Sequence, residues 1–117
     1  MRHHKKRRTL NRPKAQREAL LRSLARSLVL KNGITTTSAK AKELRPFIES
    51  LVTTSKQNTL ASRRVVASRL GSPEAVKKLH DTIAPRYEAR KGGYTRIVRL
   101  GRVGNRVADM ARIEFLA

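Results

Sequence analysis

The chain has no cysteine and no tryptophan, and aromatic side chains make up only 3% of its 117 residues. Without cysteine there is no disulfide and no thiolate metal site, which fits a reducing interior. So few aromatics leave no stacking platform of the kind that single-strand binders use. Acids are scarce, 8 Asp and Glu against 28 Lys and Arg. They are scattered, too isolated to hold Mg²⁺ for nuclease chemistry. No apolar run approaches the ~20 residues of a membrane span. The basic start lacks an apolar stretch and a small-residue cleavage site, so it does not read as a secretory signal. Neither a phosphate loop nor a dinucleotide-binding fingerprint is visible, nor any internal repeat.

What the chain does have is positive charge. The net charge is +20 and the pI about 11.8. A free compact domain with that charge repels itself, and a polyanion is the natural partner to balance it. Hydrophobic residues, mostly Leu, Ala, Val and Ile, make up 38% of the chain. That is enough for one small core, so residues 15–117 read as a single domain and residues 1–14 as a basic extension.

Between Arg2 and Arg17 there are eight Lys or Arg and no acid. Such a segment buries too little surface to offset the entropy of ordering. Alone it is expected to be disordered, becoming ordered on nucleic acid. Residues 15–31 read as a helix with Leu20, Leu21, Leu24, Ala25 and Leu28 on one face. Asn32-Gly33 stops it, with Gly33 suited to the left-handed position. Ile34–Thr37 is β-branched and reads as a very short strand.

The longest amphipathic segment follows, from Thr36 to Lys56. At about 100° per residue, Ala41, Leu44, Phe47, Ile48, Leu51 and Val52 share an arc of roughly 140°. Thr36, Thr37 or Ser38 can cap it. Pro46 predicts a kink or a helix in two pieces. A short helix over 60–70 is capped by Thr59 and closed by Gly71. Ser72-Pro73 opens another, about 74–83, that Pro85 ends. Residues 86–93 read as a basic loop, and 94–101 and 108–116 as two strands of a hairpin turning at Gly104-Asn105. In the second strand, Ala111, Ile113 and Phe115 face one way and Met110, Arg112 and Glu114 the other. The fold class is α+β, with about four helices packed on a small sheet and its C-terminal β-hairpin.

Several groups suit RNA. In the arm, Arg2, Lys5, Lys6, Arg7, Arg8, Arg12, Lys14 and Arg17 can neutralise phosphates, against the plainer reading of a solvated or targeting tail. His3 and His4, lacking a nearby carboxylate or cysteine, suit phosphate or water rather than a metal. Arg17 and Lys40 fall on the apolar sides of helix first turns, either snorkelling or abutting phosphate together with backbone N–H groups. Arg22, Thr37 and Lys42 belong with these helix surfaces. Arg86, Tyr87, Arg90, Lys91, Gly92, Gly93, Tyr94 and Arg96 form a second basic cluster. Its glycines allow close backbone approach, and its tyrosines could stack on a base or ribose. Arg63 and Arg64 extend that patch.

Catalysis finds little support. His80 and Asp81 are helix neighbours pointing about 100° apart, and Asp109 and Glu114 lie on opposite strand faces. An alternative to RNA is a DNA-binding or compacting protein, with Arg22 and Arg26 as a thin recognition face.

Local patterns also line up with one family. MRHHKKRRTLNR resembles its opening. Ile34-Thr-Thr-Thr followed by Ala39-Lys-Ala-Lys-Glu-Leu-Arg-Pro-Phe-Ile-Glu is similar to its most specific segment. Ala84-Pro-Arg-Tyr, Gly92-Gly-Tyr-Thr-Arg-Ile and the closing Met110-Ala-Arg-Ile-Glu-Phe-Leu follow in the same order. The chain thus resembles the bacterial large-subunit ribosomal protein family L-seventeen. It departs at Arg102–Val107, which lacks the family's acidic Gly-Asp, and at Pro13-Lys14. The resemblance implies a cytoplasmic, structural component of the large ribosomal subunit. It implies binding to large-subunit rRNA near the polypeptide exit region, among neighbouring ribosomal proteins, with no catalytic residue and no cofactor.

Overall fold

The computed structural model describes residues 10, 12–105 and 108–117. The expectations for Arg2 to Arg8, and the second half of the hairpin loop, fall outside them. Element order is α1 (Lys14–Lys31), β1 (Gly33–Thr37), α2 (Ser38–Lys56), α3 (Leu60–Leu70), α4 (Pro73–Lys78), a π-helical turn (Leu79–Ile83), α5 (Ala84–Arg86), β2 (Thr95–Gly101) and β3 (Met110–Phe115). The architecture is α+β, helices against a three-stranded antiparallel sheet of order β1-β3-β2.

The helix α2 is the axis of the core. Ala41, Leu44, Ile48, Leu51 and Val52 are all fully buried on it, and Phe47 packs at the edge. Burying each of the larger side chains contributes about 1.5–3 kcal/mol. Thr37 caps the helix, its hydroxyl accepting from the Lys40 N–H at 3.3 Å. Pro46 lies inside one uninterrupted helix rather than dividing it. Pro46 and Lys42 are both exposed, so the Lys42 carbonyl that loses its helical partner is on the watered side.

Two further boundaries differ from expectation. The left-handed residue ending α1 is Asn32, with φ 64°, and Gly33 already belongs to β1. Asparagine tolerates that conformation. One position later, a Cβ on Gly33 would come within 2.4 Å of the end of the Arg112 guanidinium, which would have to shift. The helix opened by Ser72 and Pro73 also outlasts Pro85, running on to Arg86. In an α-helix the Pro85 ring would press on the Asp81 carbonyl. The π-helical turn immediately before widens the spiral, with the Ala84 N–H bonding back to the Leu79 carbonyl.

In the sheet, β3 lies in the middle. Ile113 faces Ile34 on one side and Ile97 on the other. These three, with Ala111 and Phe115, form the face that packs on the helices. Met110, at the strand's start, is buried too. The opposite face carries Arg96 and Arg112, both paired with Glu114, at 3.2 and 3.5 Å. The hairpin irregularity falls between Arg99 and Gly101.

Candidate nucleic-acid interface

No Lys or Arg among the described residues is buried. Ion pairs join Arg45 to Glu49, Arg63 to Asp81, and Arg96 and Arg112 to Glu114. With 8 acids in the whole chain, at least 20 of the 28 cations have no carboxylate of their own. The surface positive charge is therefore set by composition and cannot be cancelled internally.

The fold gathers part of this charge around two hollows. One, of about 600 Å³, is lined by Arg17, Arg22 and Arg69 together with Leu21, Phe47 and Glu43. The other, of about 770 Å³, has Arg63, Arg64 and Lys77 around Val76, His80 and Asp81. Arg69 and Lys77 were missed by sequence reasoning. Their signal was available, since each is an exposed cation on a short helix, but only the packing of α1 on α3 and of α3 on α4 reveals their company.

Two arginines of α1 are held by the end of α3. Arg22 Nε donates to the Arg69 carbonyl at 3.1 Å, and Arg26 Nε to the Leu70 carbonyl at 2.6 Å. These carbonyls have no partner within the helix, and cations there also oppose the negative end of its dipole. The Arg22 and Arg26 side chains are thus turned toward the end of α3, and both stay partly exposed.

Arg86 at the end of α5 and Arg90 and Lys91 in the loop before β2 are all exposed, with Arg90 Nη1 donating to the Gly93 carbonyl at 3.3 Å. Gly92 and Gly93 have φ of 78° and 64° and open space where side chains would be. Lys14 and Lys42 are exposed, Arg12 and Lys40 partly so, and Lys40 and Lys42 line neither hollow described above. The Thr37 hydroxyl is committed to its cap.

Tyr87 and Tyr94 are a correction. They were expected to present rings to bases, but they are 2% and 1% exposed. The rings pack 5.2 Å apart, with Phe115 6.5 Å from Tyr87. They join loop to sheet, because in a chain so poor in aromatics the large rings are needed inside. Their polar tips find internal partners. The Tyr87 hydroxyl donates to the Leu116 carbonyl, and the Tyr94 hydroxyl lies 3.1 Å from Thr53 Oγ1 and 3.2 Å from Lys56 Nζ. Burial raises the Tyr94 pKa, but hydrogen bonds with Thr53, the Gly92 backbone and Lys56 outweigh it and leave the phenol below its usual 10.0.

Among the described residues no group of three or more His, Asp or Glu is placed to hold a metal ion, and no helix is long and apolar enough to cross a membrane. A family model described as "Ribosomal protein L17" matches residues 20–116. The chain belongs to this ribosomal protein family. Curated relatives cover it almost end to end. "Large ribosomal subunit protein bL17" of Hydrogenobaculum sp. (strain Y04AAS1) is 50% identical over 117 residues, 99% of each chain. The protein of that name from Gemmatimonas aurantiaca is 47% identical over 116 residues, 99% of this chain and 98% of its own. That from Sphingopyxis alaskensis is 47% identical, over 99% of this chain and 84% of its own. As a member of the ribosomal protein L17 family, the chain is a large-subunit ribosomal protein, a component of a ribonucleoprotein that serves translation. The earlier resemblance is thereby established over nearly the whole length.

Proposed function

We propose that this protein is an architectural binder of large-subunit rRNA. The observation that carries the reading is the pairing of a +20 charge with a fold that leaves every described Lys and Arg at least partly exposed. The greasy core holds these cations in fixed register. Phosphates are bound by the arm residues Arg2 to Arg17, by Lys40, Lys42, Arg63 and Arg64, and by the basic cluster of Arg86, Arg90, Lys91 and Arg96. Gly92 and Gly93 let the backbone come close to RNA. Selectivity comes from RNA shape rather than base reading, because few exposed side chains suit base edges. In the cytoplasmic ribosome the protein sits among neighbouring large-subunit proteins near the polypeptide exit region. It acts without catalysis or cofactor.

The test is co-sedimentation. The full chain should travel with the large subunit at moderate salt, and deletion of residues 1–14 should weaken that association while far-ultraviolet circular dichroism stays that of a folded domain. Unchanged association after deletion would remove the arm from the interface. Duplex DNA should compete less well than structured rRNA at equal salt.

A further inference from the structure

Strand β2 has an open edge. The sheet order β1-β3-β2 leaves one side of it without a neighbouring strand. In an antiparallel sheet, successive residues bond alternately to the two sides. The Leu116 N–H donates to the Tyr94 carbonyl at 2.9 Å, and the register then sets Arg96 opposite Glu114 and Val98 opposite Arg112. Tyr94, Arg96 and Val98 therefore turn their backbone groups to β3, and those of Thr95, Ile97 and Arg99 point outward. At Thr95 the edge is covered from within. Glu49 of α2 accepts from its N–H at 3.2 Å and from its hydroxyl at 2.9 Å. No described residue does the same for the outward groups of Ile97 or Arg99.

The same hairpin carries apolar side chains into solvent. Val98, Leu100 and Val103 are 39%, 43% and 47% exposed, three of the six large apolar side chains that stand out among the described residues. The other three, Leu30, Leu60 and Val65, lie on α1 and α3. Exposed apolar side chains grouped in this way mark a contact surface. Arg99, between Val98 and Leu100, is exposed as well.

These features select the kind of partner. An RNA phosphate can accept from an edge N–H, but the carbonyls that alternate with those donors repel it, and the aliphatic side chains gain nothing from a charged backbone. A polypeptide strand meets donors and acceptors alike. Its alternating side chains can set an apolar residue beside Val98 and a carboxylate beside Arg99. A second copy of this chain would bring another +20 against the first.

We propose that the open edge of β2 at Ile97–Arg99 takes up a short extended segment of a neighbouring large-subunit protein as an added strand, with apolar and acidic residues at alternating positions. This rests on the reading that such proteins lie beside this one, and it names the surface and the chemistry of one contact. The irregularity between Arg99 and Gly101 ends the regular edge, so the added strand is only a few residues long.

The experiment uses large subunits that carry the full chain with photoreactive p-benzoylphenylalanine in place of Leu100, or in place of Leu60 on α3 as a reference. Irradiated subunits are treated with ribonuclease or protease, and the adducts are mapped by mass spectrometry. Position 100 should give a ribonuclease-resistant adduct with another large-subunit protein, mapped to a segment of alternating apolar and acidic residues. Arg99→Pro removes the outward N–H and the cation while sparing the bonds to β3, and Val98→Lys keeps every backbone group and removes the apolar contact. Each should lower that yield severalfold and leave the adduct from position 60 unchanged. An adduct with rRNA, an adduct with a second copy of the chain, no adduct, or a yield unmoved by both variants would overturn the proposal. Those outcomes leave the binding of rRNA by the wild-type chain standing. Absence of the wild-type chain from the large subunit would instead overturn the broader reading.

Discussion

Arg26 Nε donates to the carbonyl oxygen of Leu70 at 2.6 Å. This bond joins the first helix to the end of the third across 44 residues of sequence, and it explains why an arginine sits beside the buried Ala25 on a packed helix. Arg26→Met keeps the stem and removes the donor. It should lower stability by about 1.5 kcal/mol, read as a shift of the urea midpoint without change of slope. An unchanged midpoint would show that the α1–α3 contact rests on apolar packing alone.

Gly71 belongs to the same joint. Its φ is 71°, and a Cβ there would stand 2.4 Å from Arg26 Nη2. Gly71→Ala must both strain the backbone and displace the guanidinium. A loss of about 1–2 kcal/mol is expected, and it should not add to that of Arg26→Met, because the two changes damage one contact. Full additivity in the double variant would contradict this.

The tyrosines separate scaffold from interface. Tyr94→Phe removes the hydroxyl shared by Thr53 and Lys56 and should cost about 1 kcal/mol of stability. Affinity for rRNA should stay the same, since the ring is not on the surface. A drop in rRNA affinity with no change in melting would return Tyr94 to the interface.

His80 gives a pH signature. Its folded pKa lies below the unfolded 6.5, so the unfolded chain takes up its proton first as pH falls. Stability due to the neutral ring is fully present above pH 6.5 and is lost as pH falls through the folded pKa. Thermal melting of the wild type should decline across that window, and His80→Phe should flatten the decline. A slope identical in the two proteins would place its origin in other groups.

Most of the framework was legible in the residues. The α2 stripe, the Thr59 and Ser72 caps and the alternation of Ala111, Ile113 and Phe115 are local signals with local causes. The misjudged points depended on distant partners. Gly33 looked like a helix terminator until Arg112, 79 positions later, was found lying over it. Tyr87 and Tyr94 sit in a basic loop, and nothing in their neighbours' charges reveals that Phe115 waits to pack with them. Pro85 reads as a stop because a π-helical turn has no sequence signature of its own. For the interface, the cations could be counted from composition, but which ones meet, as Arg63 and Arg64 meet Lys77, is decided by helix packing.

The central claim is that the scaffold exists to hold positive charge against folded rRNA. Equilibrium binding of the full chain to large-subunit rRNA across a salt series tests it most directly. With about 8–10 phosphates neutralised at ~0.7 counterions each, log affinity should fall with log salt at a slope near −6, several decades between about 50 and 500 mM. A flat salt response would contradict the account.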